Sequence, residues 1–195
     1  MSAIVDGFRR LTDFRGRDRR RRFWPYALVI MGLTVIGLEA AIIPMAAGVF
    51  AEATAYAMAY PGQVAESSSP GYYSVQLYDA DAIAMPKLDR FFIAIGIAVG
   101  LAVVLLAAAV TRRLHDAGLA GWWGLPTVAF LATGVGLFPR ALALVMQSEQ
   151  GAPSMNLFFI LFAHNGLYVV CLSGLAVLLM LGGDRGPNRY GLPNA

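Results

Sequence analysis

Four stretches of this chain, residues 23–44, 91–110, 122–138 and 157–181, are long, apolar and nearly free of charge, and the second carries no charged residue at all. A helix needs about 20 mostly apolar residues to cross hydrocarbon. Backbone N–H and C=O groups in lipid must pair within the segment, so such stretches are helices rather than loops. The third is short before Pro139-Arg140 and can be extended by ALALVM, residues 141–146. A transmembrane barrel would need alternating apolar and polar residues, and the sequence has none of that pattern. The expected fold class is all-α: a polytopic membrane protein with four transmembrane helices and both termini cytoplasmic.

Composition excludes the soluble alternative. Hydrophobic residues make up 58% of the 195 and charged residues 14%, against about 25% charged in soluble domains. An Ala-rich soluble helical protein would carry its apolar residues in stripes, not in unbroken runs. The expected layout is a basic N-terminal segment at 1–22, a four-helix domain at 23–181 with a long outer loop at 51–90, and a C-terminal tail at 182–195.

Orientation follows from the basic residues, because Lys and Arg near membrane ends favour the cytoplasm. Four spans put both termini on one side. The termini together with the connection between spans two and three net +7, and the opposite side nets −4. Both termini are therefore expected in the cytoplasm. Arg20-Arg21-Arg22-Phe23 faintly resembles a twin-arginine export signal. The first apolar run is longer than a signal core and three more follow, which favours a retained anchor. Phe8, Leu11 and Phe14 give the N-terminal segment a weakly amphipathic strip suited to lipid headgroups. Its eight arginines are explained by orientation and anionic lipid, without nucleic acid.

Span one has Pro25 in its expected first turn, where the missing N–H costs little, with Trp24 and Tyr26 at an interfacial belt. Gly96 and Gly100 in span two have a spacing that lets another helix approach. The outer loop opens with helix formers and breaks at Pro61-Gly62 and again at Ser67 to Gly71. Its tyrosines and apolar residues suggest a segment resting on the outer membrane boundary. A connection this long is uncommon and is either functional or a tolerated insertion.

The connection between spans two and three reads VTRRLHDAGLAGWWGLP. Arg112 and Arg113 follow the end of span two, where cations suit the helix dipole and reach phosphates. Asp116 lies four residues after Arg112 and three after Arg113, within local pairing reach. Gly118 can end the helix in the left-handed region, and Trp122 and Trp123 anchor span three. The polar stretches 14–24, 112–123 and 184–194 then gather at one side of the membrane. There Asp116 could accept from Arg17 or Arg189, and Asn188 could tie a turn.

These three stretches, in this order, resemble the bacterial inner-membrane family known as domain of unknown function 805, the YhaH-like proteins. Phe14, Gly16, Arg17, Arg20, Phe23 and Trp24 fit its first motif. Arg112 through Asp116, Gly118, Gly121, Trp122 and Trp123 fit the second, and Gly186 through Gly191 the third. The resemblance implies a small polytopic protein of the bacterial inner (plasma) membrane with no established activity. Arg22, Leu119 and Ala120 depart from the family's pattern, making the inner face more basic and the hairpin more apolar.

Two constellations are candidate sites. The first is a cytoplasmic polar patch of Arg17, Arg20, Arg112, Arg113, His115, Asp116, Asn188, Arg189 and Tyr190. It reads as a clamp tying the inner loops to the bundle, or as a headgroup or anion site, since arginine forks suit phosphate. The second is an intramembrane polar cluster of Glu39, Arg140 and His164. Each lies about 22–27 Å along its helix from the inner boundary at 1.5 Å per residue, where ionisable groups are costly unless paired or wetted. Snorkelling of Glu39 and Arg140 to the outer interface is the plainer alternative.

Neither a catalytic site, a metal site nor a cofactor is implied. His115-Asp116 resembles a phosphohydrolase metal pair, but His164 is the one other histidine, and Cys171 is a lone packing residue. Serine-nucleophile, P-loop and dinucleotide motifs are missing. The expected function is non-enzymatic, with a basic cytoplasmic face binding anionic phospholipid or a membrane-protein partner, in a protein that could form homo-oligomers. The alternative is a small oligomeric transporter or channel-like protein.

Overall fold

The computed structural model describes residues 2–61, 64–69, 72–77, 88–147 and 155–192. A short helix α1 (Ala3–Arg9) precedes α2 (Arg20–Ala59). Strands β1 (Val64–Ser69) and β2 (Tyr72–Leu77) follow, then α3 (Leu88–Asp116), a 3-10 turn at Gly121–Gly124, α4 (Leu125–Gln147) and α5 (Met155–Met180). Four helices are long and apolar enough to cross a membrane, so this is a multi-pass membrane protein.

Hydropathy marks where hydrocarbon ends, and a helix can outrun it. At 40 residues, α2 is about 60 Å long, twice the roughly 30 Å of a bilayer core. It begins at Arg20, so Pro25 falls in the second turn rather than the first as expected. The missing N–H leaves a carbonyl at Arg21, which is exposed and open to solvent. The helix also runs through Pro44, where the sequence suggested an end, and stops at Ala59 just before Pro61-Gly62. Likewise α4 continues through Pro139 to Gln147. On the 51–90 connection two strands pair antiparallel, Val64 with Leu77 and Ser69 with Tyr72, a local structure the sequence did not suggest. Tyr72, Tyr73 and Val75 are strand formers, and the strands flank Pro70-Gly71.

The core lies at one end of the bundle. Phe23, Tyr26, Ala27 and Ile30 of α2 pack with Ala109 and Leu114 of α3 and Leu179 of α5. Tyr26 donates its hydroxyl to Leu105 O at 2.8 Å, and Phe8 of α1 meets its ring edge-on at 5.3 Å. Away from this end the spans bury little. Of the most apolar window of α5, 0% is buried, and 11% of those of α3 and α4. Large apolar side chains such as Ile36, Val104, Phe162 and Val170 are exposed there, a surface suited to lipid rather than water.

Candidate functional site

The burial at the arginine end is of charge as much as of hydrocarbon. Arg17, Arg112 and Arg113 are 0%, 1% and 0% exposed, and Asp18 and Asp116 are 5% and 3% exposed. Each guanidinium has a distinct set of partners.

Arg17 sits between α1 and α2, and all five of its N–H groups are engaged. Nε donates to Asp116 Oδ1 at 3.2 Å. One terminal nitrogen donates to Gly186 O and Gly191 O at 2.8 and 3.2 Å, the other to Asp184 O and Asp116 O at 2.6 and 3.4 Å. One side chain from the start of the chain therefore holds the end of α3 and the C-terminal tail together.

Arg112 and Arg113 are adjacent on α3 and point to different elements. Arg112 donates from Nε to Asp18 Oδ2 at 2.6 Å and from its terminal nitrogen to Arg10 O at 2.8 Å and to Asp13 O. Asp18 N donates back to Arg112 O at 3.1 Å. Arg113 donates to Asp116 Oδ2 at 2.9 Å and Leu179 O at 3.0 Å, and also to Leu181 O. The last carbonyls of a helix have no partner within it, and a cation there also meets the negative end of the helix dipole. Arg113 thus caps α5 from a neighbouring helix.

Asp116 joins two of these sets, with one oxygen on Arg17 and the other on Arg113. Its backbone oxygen accepts from Asp184 N at 2.9 Å. A β-carbon at Gly183 would stand 2.0 Å from Asp116 Oδ2, so only glycine lets the tail approach this carboxylate. Gly118 ends α3 with φ of 71°, as the spacing of the motif predicted.

The tail closes over this layer. Asn188 donates to His115 O at 3.0 Å and Asp184 Oδ2 at 2.8 Å, and its own Oδ1 accepts from Tyr190 N at 2.9 Å. Tyr190 stacks on His115, 3.7 Å between ring centres and 7° from parallel. Arg189 lies over the Tyr190 ring and donates to Gly118 O at 3.2 Å. Arg20 reaches toward Gly182 at the edge of the layer. Outside it, Arg10 bridges Asp13 and Asp18. Burial alone would raise the Asp13 carboxyl. The Arg15 N–H and the Arg10 guanidinium outweigh it and hold Asp13 below its ordinary range.

The structure thus brings the nine residues of the polar patch to one end of the bundle. Of the partners the sequence offered Asp116, Arg17 and Arg113 bind it, while Arg112 pairs with Asp18 and Arg189 bonds Gly118 O. The expectation that Arg112 and Arg113 reach phosphates fails, because both are enclosed and engaged by protein acceptors. Sequence reading also passed over Arg10, Asp18, Gly183 and Asp184. Asp18 had a signal, an acid directly after Arg17 within an arginine run. Asp184 and Gly183 had none beyond their position next to the last motif.

The intramembrane trio is not joined. Among the described residues no ion pair links Glu39 to Arg140, and both are exposed. His164 instead contacts α4, with Nε2 2.9 Å from Thr133 Oγ1 and its ring 5.6 Å from Phe130. Among the described residues no group of three His, Cys, Asp or Glu is placed to hold a metal ion.

No curated protein and no solved structure matches the chain. Residues 11–192 match the family described as Protein of unknown function (DUF805). That span takes in Arg17, the Arg112–Asp116 joint and the closing tail. The chain belongs to the DUF805 family.

Proposed function

We propose that this is a non-enzymatic inner-membrane protein, both termini cytoplasmic, whose arginine-bearing face engages anionic phospholipid headgroups. The observation that carries this reading is a division of labour among the arginines. Arg17, Arg112 and Arg113 are buried and hydrogen-bonded within the protein, whereas Arg15, Arg19, Arg21 and Arg185 are exposed at the same end. The buried set builds the joint and the exposed set forms a rim at the level of the headgroups. Each basic group near an anionic surface contributes about 1 kcal/mol, so four together favour anionic over zwitterionic lipid by well over tenfold.

The test is native mass spectrometry of the full chain released from nanodiscs of mixed phosphatidylglycerol and phosphatidylethanolamine. The native protein retains phosphatidylglycerol preferentially. Replacing Arg15, Arg19, Arg21 and Arg185 together by Gln removes the preference and leaves the melting temperature in detergent nearly unchanged. Equal preference in the native protein and the variant would refute the lipid-binding rim.

A further inference from the structure

Two charges stand inside the hydrocarbon with nothing in the described chain to neutralise them. Glu39 of α2 and Arg140 of α4 are both exposed, and among the described residues neither has a hydrogen-bond or ion-pair partner. Glu39 lies 15 residues beyond Trp24, roughly 22 Å, and Arg140 lies 17 residues beyond Trp123, roughly 26 Å, at 1.5 Å per residue. Both depths fall within a hydrocarbon core of roughly 30 Å. By the same count Glu52 and Arg90 stand about 42 and 33 Å from the arginine end, past the far boundary.

An ionisable side chain at such depth is costly unless it is paired or wetted. Escape to the far interface is opposed by helix geometry. Both α2 and α4 run away from the arginine end, and in a helix the Cα–Cβ bond tilts toward the N-terminus. The side chains of Glu39 and Arg140 therefore start back into the membrane, away from the nearer surface.

The two charges are complementary and almost level, differing in height by about 4 Å, which an arginine side chain spans. The neighbouring turns agree with a match between copies. With Glu39 set against Arg140 and the two helices parallel, Ile36 meets Gly136 and Ile43 meets Leu144. Ile36, Ile43 and Leu144 are exposed, and a β-carbon at Gly136 would meet nothing within 4 Å, so another helix can approach closely there. An oppositely inserted copy would separate the charges in height by roughly 18 Å across the same core.

We propose that copies of this chain, inserted the same way, associate in the membrane with Glu39 of one against Arg140 of the next. A two-fold dimer or a closed ring satisfies every such pair, whereas an open chain of copies leaves one charge of each sign unmatched at its ends.

The test follows association of the full chain in phosphatidylcholine vesicles by energy transfer between copies labelled with donor or acceptor at the C-terminus. Zwitterionic lipid keeps the arginine rim out of the measurement, so this reading and the lipid-binding one fail separately. The native protein is expected to show transfer above the level of random collision. Glu39→Gln and Arg140→Gln each lower the association constant by about three- to twentyfold, the range of interhelical polar contacts in membranes, and together they cost little more than either alone. Mixing gives the sharpest arm. Copies with Glu39→Lys and copies with Arg140→Glu each repel their own kind, and mixed one to one they recover transfer, because each supplies the charge the other lacks. A contact within one chain cannot be rescued in this way. In dilute detergent, where the copies are apart, the variants are expected to keep the native melting temperature, and the Gln variants carry the test if a charge reversal does not fold. A cross-link is also expected between an Ile43→Cys copy and a Leu144→Cys copy, both on a Cys171→Ala background. Native copies that do not associate overturn the proposal, as do Gln variants that associate as the native protein does, folded charge-reversal variants that show no recovery on mixing, or the absence of the mixed cross-link. Unchanged association in the Gln variants would place the two charges at the interface or on lipid headgroups instead.

Discussion

At the residue scale, Asp116 decides whether the buried charge is stable. Two guanidiniums that are 0% exposed share its two oxygens. Removing one partner of a buried ion pair leaves an uncompensated charge and costs about 3–5 kcal/mol. Asp116→Ala is therefore expected to lower unfolding stability in detergent by about that much. Glu39→Gln, at an exposed position on α2, changes it by less than about 0.5 kcal/mol. Reversible unfolding followed by tryptophan fluorescence makes the comparison, and an Asp116→Ala loss no larger than that of Glu39→Gln would show that the carboxylate is dispensable. Some of this was legible beforehand. Arg17 and Asp116 could be paired on paper because the first and second motifs had to lie at one end of the bundle. The partner of Arg112 could not. An aspartate four residues away on the same helix was the local choice, and the true partner, Asp18, is distant in sequence. Burial was equally invisible: an arginine beside a span end reads as headgroup-facing unless one knows which carbonyls surround it.

At the element scale, adjacent side chains on α3 hold different parts of the molecule. Arg112 fixes the segment around Arg10, Asp13 and Asp18, and Arg113 fixes the last turn of α5. The two attachments are separable. Arg112→Met is expected to speed amide hydrogen exchange in residues 10–18 and leave the arginine end of α5 protected. Arg113→Met is expected to do the reverse, exposing the amides around 178–184. Exchange measured by mass spectrometry on the purified variants distinguishes the outcomes, and the same exchange pattern from both variants would mean that the layer opens as one unit. The elements themselves were only partly readable. The four apolar runs identified α2 to α5, and Gly118 placed the end of α3, because hydrocarbon thickness and glycine conformation leave direct marks in sequence. The reach of α2 beyond residue 44 left none. Residues 45–59 continue the helix with alanine, methionine and glutamate, good helix formers outside the span that hydropathy detects. The β-hairpin was hidden for a related reason, since Val64–Ser69 is half serine and carries no alternation of apolar and polar residues.

At the scale of the whole molecule, the buried layer is a statement about topology. Arg17 from the first polar stretch, Asp116 from the second and Asp184 from the third bond directly to one another, so all three must lie in one compartment whichever way the protein is inserted. Charge asymmetry is a separate argument, and it alone chooses the cytoplasm. Single cysteines on a Cys171→Ala background keep the two arguments apart. Ser2→Cys, Ala117→Cys and Arg185→Cys are expected to resist a membrane-impermeant maleimide in intact cells and to react after permeabilisation. Met155→Cys at the far end of α5 is expected to react from outside. If the first three all react in intact cells and Met155→Cys does not, the orientation is inverted and the shared layer survives. If the three report different compartments, guanidinium and carboxylate lie on opposite sides of a bilayer and the layer cannot exist. The second result would remove the physical basis for burying three arginines at the end of an otherwise apolar bundle.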